Sequence, residues 1–127
     1  MTQRILAIDD SPEIHQLLKV RLKNLDVELA HADCGFDGFN QARVSNPDLI
    51  LLDVMMPHMD GLEVIATLQA EQPGLPIVVV SGTGVLADAV EAMRRGAVDY
   101  VSKPIRDMQE IVVVVERVLE KARLIAE

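Results

Sequence analysis

Asp48-Leu49-Ile50-Leu51-Leu52-Asp53-Val54-Met55-Met56-Pro57-His58-Met59-Asp60-Gly61 is the stretch whose reading decides the fold. Leu49 to Leu52 is an unbroken aliphatic run that stops at a carboxylate, Asp53, and a loop with Pro57 and Gly61 follows. A short run with no polar alternation predicts a strand buried on both faces, as in the middle of a parallel sheet. Asp53 then stands at the strand's carboxyl end, where open α/β sheets carry their sites. Packing gives no reason for a carboxylate there, so its partners must come from elsewhere in the chain.

Working outward, the chain repeats one unit. Arg4–Ile8 reads as an apolar strand ending in Asp9-Asp10, and Ser11-Pro12-Glu13 opens a helix with proline in its first turn. Ile14, Leu17, Leu18, Arg21, Leu22 and Leu25 give that helix a stripe through about Asn24. Val27–Ala30 alternates as an edge strand would, and Gly35–Ser45 is a second helix with Phe36, Phe39 and Ala42 or Arg43 on one side. Past the opening stretch, Gly61–Leu68 is a third helix and Pro76–Val80 a β-branched strand leading to Ser81-Gly82. Val85–Arg95 is a fourth helix, with Leu86, Ala89, Val90 and Met93 expected inside, and Gly96 ends it. Val98–Ser102 is a more polar strand, Lys103-Pro104 follows, and a last helix starts near Asp107.

Five strand-then-helix units demand right-handed crossovers and a parallel sheet covered on both faces. The first, third and fourth strands are the most apolar and so central; the second and fifth are edges. The predicted fold is a doubly wound α/β sheet, order 2-1-3-4-5, of the flavodoxin-like (βα)5 kind, switching between strands one and three.

At 127 residues the chain suits one domain, taken as residues 1–127. No run reaches the ~18 apolar residues of a membrane span, and no signal-peptide layout opens the chain. The single Cys34 rules out an internal disulfide, so a reducing, cytoplasmic setting is expected. A net charge of −8 argues against direct nucleic-acid binding by this domain. His15, His31 and His58 lack metal-ligand spacing and read as surface or loop residues.

The strand ends now converge. Strand one delivers Asp9 and Asp10, strand three Asp53, strand four Ser81 and strand five Lys103, all on one edge of one sheet. The acidic pair also suits a helix N-terminus. Carboxylates gathered at one place repel one another unless a cation joins them, and hard oxygen ligands suit Mg²⁺ (or Mn²⁺). Lys103 and the Ser81 hydroxyl can then meet phosphoryl oxygens, which makes a phosphoryl-transfer site with Asp53 as nucleophile.

Four segments together carry a resemblance: Ile8-Asp9-Asp10-Ser11, Leu51 through Gly61, Val80-Ser81-Gly82, and Gly96 through Pro104. In that order, over essentially the whole chain, the sequence resembles the receiver domain of two-component response regulators. The resemblance implies that Asp53 accepts a phosphoryl group from a phosphohistidine on a histidine kinase or histidine phosphotransfer protein. It implies metal binding by Asp10, Asp53 and the Met55 carbonyl, with Asp9 acting through water. Lys103 would pair with a phosphate oxygen, Ser81 would be the hydroxyl switch, and Tyr100 the aromatic that turns inward with it. The peptide bond before Pro104 would be cis. The domain would catalyse only its own phosphorylation and slow dephosphorylation, and would signal through the surface of helix four, strand five and helix five.

In the last helix, Met108, Ile111, Val112, Val115, Val118, Leu119 and Ala122 make a core stripe, leaving Val113 and Val114 either covered by neighbouring structure or as a partner face, such as a homodimer contact. The tail reads as helix to the last residue with no cap or glycine stop, so either the protein ends so or residues 118–127 begin a linker helix to an output domain. The rival reading is a phosphohydrolase of the haloacid dehalogenase type, which needs a general acid two residues after the nucleophile, where Met55 stands. A flavodoxin-like cofactor binder would need a Ser-, Thr- and Gly-rich cradle after strand one, which Asp9-Asp10-Ser11-Pro12 is not.

Overall fold

The structure is a computed structural model that describes residues 3–23, 25–53, 61–81, 86–102 and 108–126; within these, the side chains of residues 81, 86–89, 102, 108–110, 123 and 125–126 are outside the description. The elements alternate throughout: β1 (Gln3–Ile8), α1 (Pro12–Arg21), β2 (Val27–Ala32), α2 (Gly35–Ser45), β3 (Leu49–Leu52), α3 (Gly61–Glu71), β4 (Ile77–Ser81), α4 (Leu86–Arg94), β5 (Asp99–Ser102) and α5 (Met108–Ala126). All pairings are parallel and the sheet order is β2-β1-β3-β4-β5, as the polarity of the strands predicts.

Period-two alternation splits the central strands between two cores. Ile5, Ala7, Leu49, Leu51, Val78 and Val80 face α1 and α5. Leu6, Ile8, Ile50, Leu52, Ile77 and Val79 face α2, α3 and α4. All four residues of β3 are at most 3% exposed, so the opening run is a strand walled in on both faces. Among the described residues, no helix is long and apolar enough to cross a membrane.

Several helix faces differ from the sequence reading, and on α2 the cause is visible: small residues let the helix come close. On α2 the buried residues are Gly35, Gly38 and Ala42, while Phe36 lies 77% exposed. A Cβ added at Gly38 would lie 2.6 Å from Ile8 Cδ1, so the glycine face packs on β1 and the bulky phenylalanine turns outward. On α4, Ala92 is fully buried, while Val90 and Met93, expected inside, are 49% and 45% exposed. Helix α1 stops at Arg21, short of the expected Asn24, with Leu22 buried as its C-cap and Leu17 exposed. Strand β2 runs two residues beyond Ala30, which brings His31 into the sheet.

Candidate functional site

The site is built from the carboxyl ends of β1 and β3. Asp53 follows β3 directly, is 5% exposed, and donates its amide to the Ile8 carbonyl at 3.0 Å, which extends the β1–β3 ladder. Asp9 follows β1, is 4% exposed, and donates its amide to the Ala32 carbonyl at 3.0 Å. Its Oδ1 accepts from the Ser11 amide at 2.7 Å. Ser11 in turn caps α1, its side chain accepting from the Ile14 amide, with Pro12 as the first helical residue. Asp10 is exposed. The acidic pair therefore serves both readings at once, standing at a helix start and at a strand end.

One carboxylate oxygen from each of Asp9, Asp10 and Asp53 can be chosen so that all lie within 4.8 Å of one another. Two of these groups are nearly buried, where mutual repulsion is least screened. The donors are all hard oxygens and one of the three residues faces solvent, a set that fits a divalent cation retaining water. Among the described residues this is the group of acidic and histidine side chains close enough to hold one.

Other expected site residues fall differently. Ser81 ends β4 at the same edge as Asp53, opposite Ser102 of β5. Met55, Lys103, Pro104 and His58 lie outside the described residues. Tyr100 sits on β5 opposite Val79, half-buried against the core that contains Leu52. The expected partner face on α5 needs a correction: Val114 is only 8% exposed and belongs to the core, whereas Val113 is 48% exposed.

A second correction concerns the histidines. His31 is a half-buried strand residue, not a loop residue, and its Nε2 lies 2.7 Å from the Asp9 carbonyl oxygen. Its ring stacks on His15 of α1, with centroids 4.2 Å apart and planes 23° from parallel. The His15 Nδ1 is buried with no hydrogen-bond partner among the described residues. Burial first, then His31, then Lys19 hold His15 below the usual imidazole range. The sequence signal for His31 was the spacing Val27, Leu29, His31, one face of a strand carried two residues further than the alternation suggested.

A cavity of about 720 Å³ at the other end of the sheet is lined by Gln3, Leu25, Val27, Val113 and Glu116 and contains none of these carboxylates.

The family description "Response regulator receiver domain" matches residues 5–116. The chain is 37% identical over 106 residues to the DNA-binding response regulator MtrA of Mycolicibacterium smegmatis, covering 84% of this chain and 46% of that protein. It is 34% identical over 126 residues to the nitrogen assimilation regulatory protein NtrX of Azorhizobium caulinodans, covering 98% and 28%. The chain spans about half the length, or less, of the curated relatives it matches. Among solved structures, the signal receiver domain assigned to a Luxo repressor protein from Vibrio parahaemolyticus superposes with a TM-score of 0.92 at 27% identity, covering 98% and 95%. The receiver domain of NtrX from Brucella abortus gives 0.84 at 32% identity, covering 91% and 98%. The alternating fold, the acidic strand-end cluster and these matches agree: the chain belongs to the response regulator receiver domain family, signalling domains rather than dedicated enzymes.

Proposed function

We propose that this domain is the phosphoacceptor of a two-component or phosphorelay system, with Asp53 as the residue that carries the phosphoryl group. The observation that supports it most is the gathering of Asp9, Asp10 and Asp53 within 4.8 Å at one edge of the sheet. Residues 1–127 would form one receiver domain, with residues 118–127 beginning a linker helix to an output domain. Helix α5, which runs to Ala126 beyond the matched span, and the greater length of the relatives support this.

The phosphoryl donor would be a phosphohistidine of a kinase or phosphotransfer protein. An Asp53 carboxylate oxygen attacks phosphorus in line; the new P–O bond forms as the P–N bond breaks, and the imidazole leaves and takes up a proton. Bound Mg²⁺ would offset the negative charge that the carboxylates and phosphoryl oxygens bring together. Asp10, Asp53 and the Met55 carbonyl would hold it directly and Asp9 through water. Lys103 and Ser81 would contact the phosphoryl oxygens, and Tyr100 would follow Ser81 inward. That displacement would bias a two-state equilibrium read out at the α4–β5–α5 surface, where Val113 is the exposed α5 valine. Slow attack of water on the aspartyl phosphate would reset the domain. A haloacid dehalogenase-type hydrolase lacks its general acid here, because Met55 stands at that position.

The test is incubation with a small acyl phosphate and Mg²⁺, followed by intact mass. One phosphoryl group is expected on the wild-type chain and none on Asp53→Asn. No gain in the wild type, or equal gain in both, defeats the proposal.

A further inference from the structure

The peptide joining Asp9 to Asp10 links two of the three carboxylates, so its orientation decides how they face each other. A peptide is planar, and fixing its carbonyl oxygen fixes the direction in which the next residue sets out. Asp10 is exposed and gains little from packing. The Asp9 amide is held by the Ala32 carbonyl, and its carbonyl oxygen meets His31 Nε2 at 2.7 Å. A carbonyl only accepts, so Nε2 carries the hydrogen in this contact.

His31 is itself held from both sides of the sheet. It lies opposite Ala7 of β1, a small residue. Its ring stacks on His15 of α1. Its own carbonyl accepts from Gln41 Nε2 of α2 at 2.9 Å, and that nitrogen also donates to Asp37 Oδ2. A donor anchored to two helices is set against the main chain between two proposed metal ligands.

We propose that His31 is a positioning residue of the cation site: its Nε2–H, donated to the Asp9 carbonyl, sets the Asp9–Asp10 peptide plane and so the spread of the two carboxylates, and His15 fixes the ring by stacking. This inference rests on the acidic cluster binding Mg²⁺, as proposed above. Without a bound cation the carboxylates repel one another, and an arrangement held open or tilted must be reorganised before one binds. Groups that orient ligands from behind raise affinity by removing that reorganisation.

Two substitutions separate the donor from the ring. His31→Gln keeps an N–H donor, and His31→Phe keeps an aromatic ring against His15 but has no donor. Mg²⁺ affinity of the full chain is measured by calorimetry, and unfolding midpoints are measured without Mg²⁺. His31→Phe is expected to weaken Mg²⁺ binding about tenfold with little change in midpoint, and His31→Gln to recover most of that loss. Nitrogen NMR of the wild type is expected to find His31 protonated at Nε2. Equal Mg²⁺ affinity in His31→Phe and wild type overturns the positioning role alone. So does equal weakening in both variants with a matching fall in midpoint, or an Nε2 without its proton. A wild-type chain that binds no Mg²⁺ overturns the function proposed above, and this inference with it.

Discussion

Strand β3 and the middle of α5 are built from nearly the same material and end up in different environments. Leu49-Ile50-Leu51-Leu52 is at most 3% exposed at every position. Along Ile111-Val112-Val113-Val114-Val115 the exposure rises and falls, with Ile111 and Val115 fully buried, Val114 at 8% and Val113 at 48%. The difference lies in what each element can offer its neighbours. A central strand points alternate side chains at two cores and is flanked by strands on both sides. A helix on one face of a sheet buries only an arc of its circumference. Five β-branched residues are poor helix formers by propensity, so packing of Ile111, Val114 and Val115 against the α1-facing core holds them helical. For function, β3 places Asp53 where the strand cannot shift without moving both cores. Helix α5 leaves one of its valines, Val113, at the surface.

The contrast can be broken first at β3. Leu52→Ala, next to Asp53 and fully buried, is expected to destabilise the fold by about 2–5 kcal/mol, measured by urea denaturation. A much smaller loss means that the strand is less confined than its burial indicates. On α5, Val114→Ala should cost roughly 2 kcal/mol, from two lost methyl groups and the space they leave. Val113→Ala should change stability by less than about 0.5 kcal/mol. Equal losses at the two positions would erase the distinction between the buried and exposed arcs of the helix.

The smallest effect is expected at the edge between α1 and β2. His15 is held below its ordinary value of 6.5, so as pH falls the unfolded chain takes up its proton before the folded one does. Its contribution is therefore neutral above that value and turns destabilising as pH drops below it. His15→Phe keeps a ring against His31 and removes the titration. Its urea midpoint should fall less than the wild type's between about pH 7.5 and about pH 5.5. Parallel slopes would place the acid sensitivity elsewhere.

Much of this protein is legible from local pattern. The Leu49–Leu52 run, the β-branched strand ending at Ser81 and the more polar Val98–Ser102 were enough for five strand-then-helix units and their order. Asp9, Asp10 and Asp53 could be assembled because parallel topology sends every strand's carboxyl end to the same edge. Their closeness in the structure, within 4.8 Å, follows from that topology. The helix faces were less legible. Phe36 looked like core and is outside, because the glycine side of α2 comes so near Ile8 that no side chain fits between them. On α4 the small Ala92 is the buried residue, while Val90 and Met93 lie about half exposed.

By itself, then, the sequence determined the parallel α/β sheet, its strand order and the edge where the carboxylates meet. Those depend on residue chemistry and on periods of two and 3.6 along the chain. Only the tertiary structure decided which arc of each helix turns inward, that Val114 is buried beside an exposed Val113, and that His31 reaches the Asp9 carbonyl while stacking on His15. These depend on how closely a helix can approach the sheet and on the register of a neighbouring strand, and both are settled by residues far away in the chain.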